Sequence, residues 1–393
     1  MHSTPIAPLD LQGTIPSALL ELSEEVCLKS AQLTGAHATC TLEAIKDLLR
    51  IVNSYYSNRI ESQGTHPIDI EKAMRQEFST DTKEKNLQLL SLASIATQKS
   101  IEKRTAFNPY TEAFIRSIHH DFYSHEGMNS FLTLSYEGQE KKMVAGEYRD
   151  CDVKIGEHIP PVSATLASSM ATFEKLYTLS AQQGTQAQKL IYALSSHHRL
   201  VWIHPFLDGN GRTSRLVLDG ALMKLQGYGL WNISRGLARN LSGYKSALAN
   251  ADLVKYGEFD GRGVLSTKTL EAFVRFMLEC SLDQISYMER YLKLSELSSR
   301  IENYVKKVHD GGFDQIRLPK KSDRLFKHLL LVGESPRIVL AHAIDVSERT
   351  MTSMIKELLE KGYLKTDTQK GPVRLHLNTH FASWLFPELI PEA

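Results

Sequence analysis

Within the twelve residues His204-Pro205-Phe206-Leu207-Asp208-Gly209-Asn210-Gly211-Arg212-Thr213-Ser214-Arg215 stand an imidazole, a carboxylate and two guanidinium groups. An imidazole near neutrality can take a proton from a hydroxyl. The Asp208 carboxylate is a hard oxygen donor of the kind magnesium prefers. Arg212 and Arg215 are three apart, so on a helix they share a face and can both reach phosphoryl oxygens. Gly209 and Gly211 permit positive φ and a close approach of backbone to a ligand. Each residue alone would suit a polar loop with a helix cap. Together they describe proton transfer beside a phosphate held in an anion cradle.

Two helices must hold these groups. Leu190, Ala193, Leu194, His197, Leu200 and Val201 recur at helical spacing before the stretch, and Leu216, Leu218, Ala221, Leu222 and Leu225 do so after it. Pro205 ends the first helix near His204, because proline disfavours helical geometry in the residue before it. The second helix begins in the glycine-rich turn. Its first-turn N–H groups lack intrahelical acceptors and lie at the positive end of the dipole, which suits an anion, above all phosphate.

The stretch matches H-P-F-x-(D/E)-G-N-G-R-x-x-R at every defined position and so resembles the Fic family. The resemblance implies a mainly α fold: a Fic-like helical core with a β-hairpin flap. It implies a protein adenylyltransferase (AMPylase) that moves AMP from ATP to a Ser, Thr or Tyr hydroxyl of a target protein. His204 would then be the general base and Asp208 the Mg²⁺ ligand. Gly209, Asn210, Gly211 and Arg212 would line the phosphate cradle, and Arg215 would hold the γ-phosphate.

Upstream, Ser57 and Glu61 are four apart and face the same way on a helix. On residue type alone this is a solvated helix end. The stretch also resembles the inhibitory (S/T)-x-x-x-E-(G/N) helix that precedes one class of Fic cores, in which the glutamate pairs with the second arginine of the motif. Here that implies Glu61–Arg215, and a carboxylate-bound guanidinium is not free for a γ-phosphate. Ser62 stands where the family has glycine or asparagine.

Between Met143 and Ile159 the pattern alternates, which predicts a short hairpin. Gly146-Glu147-Tyr148-Arg149 resembles the start of the family's flap, which pairs main chain to main chain with the target. Val153, Lys154 and Ile155 are the expected target-docking residues. A helix is expected over Ser234–Ala249. By the same resemblance its Asn240 and Tyr244 would contact the nucleotide, with core packing the alternative for Tyr244. His119 and His120 are expected at a helix surface. His197 and His198 have no cysteine or H-E-x-x-H partner and read as structural. Gly261-Arg262-Gly263 is too short a pattern for a second phosphate site.

The 393 residues suffice for two or three domains: an N-terminal helical region with the inhibitory helix over 1–105, a catalytic core over 106–290, and a third unit over 291–393. Three prolines and a glycine in the first 16 positions suggest that residues 1–15 form an extended arm. The third unit reads helix, helix-turn-helix, then two strands around Lys370-Gly371-Pro372, the winged-helix pattern. Its 12 Lys/Arg against 7 Asp/Glu over 317–376 are compatible with DNA, a modest excess beside dedicated binders. A net charge of +1 gives no global pull toward nucleic acid or membrane. Four scattered cysteines and no long apolar run indicate a reducing, cytoplasmic setting. The expected partners are ATP with Mg²⁺ and a target protein; DNA and a second copy of the chain are the further ones this organisation allows. Two rivals remain: removal of AMP, with Glu61 orienting water, alone or in a bifunctional enzyme, and a nucleotide-sensing DNA-binding regulator.

Overall fold

The computed structural model describes residues 5–9, 15–35, 37–136, 138–260 and 264–391. Most of the expected N-terminal arm and the Gly261-Arg262-Gly263 triplet lie outside them. Ile6 and Leu9, within the arm, are buried.

The chain is mainly helical. α1 (Ser17–Gln32) buries Leu19, Ser23, Val26 and Ser30, a single stripe at helical spacing. Ser23 and Ser30 donate to the backbone oxygens of Ala187 and Gln226, which ties α1 to the segments before and after the motif. α2 (Thr39–Ile60) buries residues on every side, Asn53, Ser54, Ser57 and Asn58 among them, because other elements surround it. α3 (Pro67–Met74), α4 (Thr82–Glu102) and α5 (Glu112–Tyr123) follow. β1 (Thr133–Tyr136) and β2 (Gln139–Lys142) form an antiparallel hairpin.

α6 (Leu166–Gln183) and α7 (Gln186–Ile203) form a helical hairpin, and a capping box of Thr185 and Gln188 starts α7. α8 (Asn210–Leu222) is the motif helix. α9 (Ile233–Arg239), α10 (Leu241–Ala251) and the long α11 (Thr267–Leu292) complete the core. The helix expected over 234–249 is broken at Asn240, whose non-helical backbone (φ −119°, ψ 54°) and side chain, accepting from the Gly243 amide at 3.2 Å, cap α10.

The last hundred residues hold α12 (Leu294–His309), α13 (Ser322–Val332), β3 (Glu334–Ser335), α14 (Arg337–Ala343), α15 (Glu348–Glu360), β4 (Leu364–Lys365), β5 (Val373–Leu375) and α16 (Thr379–Leu385). The strands form one antiparallel sheet in the order β3-β5-β4. One large apolar core runs from Ile6 to Ile390 and joins these elements to α2, and Ile51, Ile70 and Ile95 form a small separate cluster.

The regular hairpin lies upstream of where alternation predicted it. Within 143–159 the described residues make one isolated bridge, Ile155 with His158, whose amides and carbonyls exchange bonds of 2.9 and 3.0 Å. Pro160 and Pro161 lack the N–H groups to extend it. No described helix is long and apolar enough to cross a membrane.

Candidate active site

The loop between α7 and α8 is shaped by two left-handed residues. His204 (φ 51°) takes the αL conformation at the end of α7, where Pro205 forbids continuation. Gly209 (φ 76°) starts α8 in the same region, and a Cβ there would lie 2.3 Å from the Tyr123 hydroxyl. Between them Asn210 closes a ring on Phe206: its Oδ1 accepts from the Phe206 amide at 2.9 Å and its Nδ2 donates to the Phe206 oxygen at 2.7 Å. The Asn210 side chain thus shapes the loop that leads into α8.

Around this turn the charged groups converge. Tyr123 donates to Asp208 Oδ2 at 3.2 Å and accepts from Arg212 Nη2 at 3.0 Å; Arg212 Nη2 also reaches Asp208 Oδ2 at 3.2 Å. Arg212 Nη1 donates to Gln63 Oε1 at 2.7 Å, while its buried Nε has no partner among the described residues. Arg215 is buried and held by the end of α2 through two of its nitrogens: Nε donates to Ser57 Oγ at 2.9 Å, Nη2 to the Ser57 oxygen at 3.0 Å and to Glu61 Oε1 at 2.7 Å. Burial would raise the Glu61 carboxyl, but the Arg215 guanidinium, seconded by Arg212 and Lys245, outweighs it and holds the group below the usual carboxylate range. Glu61 also lies directly over Gly211, where a Cβ would come 2.2 Å from its Oε1.

The His204 imidazole is pushed down to about 4 by burial, against a hydrogen bond to the Val201 backbone and with the Arg149 charge adding to the effect. It is therefore neutral at pH 7 and able to accept a proton. His204 opens onto a cleft of about 800 Å³ whose walls include His158, His198, Trp202, Lys245 and Asp252.

Residues 109–222 match the family model described as Fic/DOC family. The chain carries a Fic domain. A Drosophila grimshawi protein named Protein adenylyltransferase Fic is 41% identical over 87 residues, which cover 22% of this chain and 18% of that protein. A Culex quinquefasciatus protein of the same name is 32% identical over 161 residues, covering 39% and 28%. The chain thus spans less than a third of the length of the curated relatives it matches. A Fic family protein of Desulfovibrio desulfuricans G20 superposes with a TM-score of 0.53 at 16% identity, covering 92% of this chain and 97% of that one. Caenorhabditis elegans Fic-1 (aa134–508) gives 0.53 at 16% identity, covering 71% and 74%. At such identities the likeness is one of fold.

Three features of the Fic site are absent from the sequence expectations or differ from them. His119 is buried, not at the helix surface: its Nδ1 accepts from the Gly146 amide at 2.8 Å, its Nε2 donates to the Asp208 oxygen at 3.2 Å, and its ring stacks on Phe206 at 3.9 Å. Burial holds it down to about 4 and so neutral. It continues the apolar face of Ile115, Ile118 and Phe122, a signal the helical spacing carried. His120 alone is exposed.

Arg149 is the second. Its Nε donates to the His204 oxygen at 2.9 Å and its Nη1 to the Cys151 oxygen at 2.7 Å, with Nη2 on the Pro161 oxygen, so one guanidinium pins the 146–161 segment to the His204 turn. The third concerns the outer residues. Val153 is buried, which leaves Lys154 and Ile155 with exposed side chains. Tyr244 is buried with its hydroxyl 2.7 Å from His197 Nε2; Asn240 is exposed and caps α10.

Proposed function

We propose that the chain is a protein adenylyltransferase that joins AMP from ATP to a target hydroxyl. The observation that carries this is a neutral, partly accessible His204 beside an anion cradle with two buried arginines. The target oxygen attacks the α-phosphorus, its proton passes to His204, and the bond to the β-phosphate oxygen breaks to release pyrophosphate. Arg212, whose buried Nε lacks a partner, and the first amides of α8 stabilise charge gathering on the phosphate oxygens. Arg215 takes the γ-phosphate once Glu61 has left it, so the Ser57–Glu61 helix end is the enzyme's own brake.

The donor set suits magnesium: Asp208 offers a hard carboxylate oxygen with its side chain 42% exposed, and the remaining ligands would come from phosphates and water. Bound there, the ion would neutralise phosphate charge. Lys154 and Ile155, bracketed by the Ile155–His158 bridge, offer an exposed edge for an extended target segment. All four cysteines are free, in keeping with a reducing cytoplasmic setting.

The 291–393 unit is read as a winged helix. Its exposed α15 face mixes Glu348, Glu357 and Glu360 with Arg349 and Lys356, a balance that favours protein contacts over DNA phosphates. The test is labelling with α-labelled ATP in a cell lysate. Glu61→Gly should transfer label to protein, and Glu61→Gly with His204→Ala should bind ATP yet transfer none. Transfer by the double variant at the rate of Glu61→Gly would remove His204 as the base.

A further inference from the structure

The last described residues of the chain thread between the helix that carries Glu61 and the catalytic core. Leu389 and Ile390 are 2% and 6% exposed. Leu389 meets Leu49 and Val52 of α2, Arg235 of α9 and Tyr287 of α11 around one small void. The backbone of the segment is held as firmly as its side chains. Tyr287 donates to the Pro387 oxygen at 2.7 Å and Arg235 Nη2 to the Glu388 oxygen at 3.1 Å. Both donors belong to the core, so one side of the segment is anchored there.

The other side is attached to the brake. Tyr56 donates to the Leu389 oxygen at 3.3 Å, and His66 Nε2 donates to the Pro391 oxygen at 3.0 Å while its Nδ1 accepts from the Ile68 amide. Glu61 lies midway between these tethers, five residues after Tyr56 and five before His66. It is also the C-cap of α2, where helical hydrogen bonding stops and a free helix end would fray. Two further ties join the same region to neighbouring elements: Lys365 to Asp47 at 3.2 Å, and the Thr379 amide to Glu71 Oε2 at 2.8 Å.

We propose that the docked 387–391 segment is a brace that holds the last turn of α2 over Arg215, so that its undocking releases Arg215 for the nucleotide. This rests on the Glu61–Arg215 brake proposed above. The brace holds the carboxylate in register from both flanks without touching the catalytic turn. A partner that captured the segment would therefore switch the enzyme on.

Leu389→Asp in the full chain puts a carboxylate into an apolar slot and drives the segment out. Amide hydrogen exchange over residues 57–63 should then quicken by about tenfold or more while the α7 amides keep their protection. Self-labelling with α-labelled ATP should rise in this variant, and adding Leu389→Asp to Glu61→Gly should raise it no further. A merely structural role would lower labelling in both backgrounds. His66→Ala, which removes a tether outside the core, should move both readouts in the same direction and carries the test if Leu389→Asp loosens α7 too. Unchanged exchange over 57–63, or an equal rise in labelling in the Glu61→Gly background, overturns the brace. If Glu61→Gly itself labels nothing, the enzymatic reading fails, and hydrogen exchange still decides the brace.

Discussion

Glu61→Gln removes one charge at the 2.7 Å contact with Arg215 and keeps the shape of the side chain. Two unit charges about 4 Å apart at an effective dielectric of 20 attract by about 4 kcal/mol. Desolvation and the hydrogen bond a neutral amide can still make reduce this to the range of a charge-assisted bond, about 1.5–3 kcal/mol. The Glu61 side chain is 35% exposed, so solvent screening argues for the lower end. About 1.5 kcal/mol corresponds to roughly tenfold in affinity for a ligand that needs Arg215 free. Ser57 still holds Arg215 through Oγ and its backbone oxygen, so the arginine stays in place. The assay is calorimetric titration of ATP and of AMP into His204→Ala and into His204→Ala with Glu61→Gln, neither of which should turn over once the proposed base is gone. ATP should bind about tenfold more tightly to the second, and AMP, which has no γ-phosphate, should bind both alike. An equal gain for AMP, or none for ATP, refutes the competition for one guanidinium. Because Arg215 lowers the Glu61 carboxyl below its unfolded value, the pair is complete above about pH 4.3 and is lost as pH falls through the lower folded value.

Two further outcomes follow from the same turn. Gly209→Ala meets both a positive φ and the Tyr123 ring, so it should destabilise the fold by about 1–3 kcal/mol, seen as a lower thermal midpoint, and should weaken ATP binding. An unchanged midpoint would mean that the turn relaxes freely. His119 and His197 are held neutral by burial, at about 4 and about 3. Their folded values lie below the unfolded value of about 6.5, so their contribution to stability is full above that pH and erodes as pH falls from there toward the folded values. Denaturant melts between pH 7 and 4 should lose stability steadily, and His119→Asn should flatten the slope. A slope unchanged by that variant would clear His119 of any part in acid unfolding.

Helix boundaries and the turn between α7 and α8 were largely legible, because their causes are local. Pro205 stops α7, Gly209 permits the left-handed start of α8, and the Thr185–Gln188 box starts α7, all within a few residues. The break at Asn240 was missed although its cause is equally local, since an asparagine that caps a helix competes with one that continues it. His119 was misjudged because an imidazole is read as polar until both of its nitrogens have partners, and those come from Gly146 and Asp208, 27 and 89 residues away.

What the sequence determined by itself was therefore the set of groups: an imidazole, a carboxylate, two arginines and a glycine-rich helix start, together within twelve residues. What only the tertiary structure decided was which of these groups are engaged, and by what. Arg215 meets Glu61 across 154 residues and Tyr56 meets Leu389 across 333. Bonds over such separations form only where packing closes the loops between them, and no residue spacing records that closure.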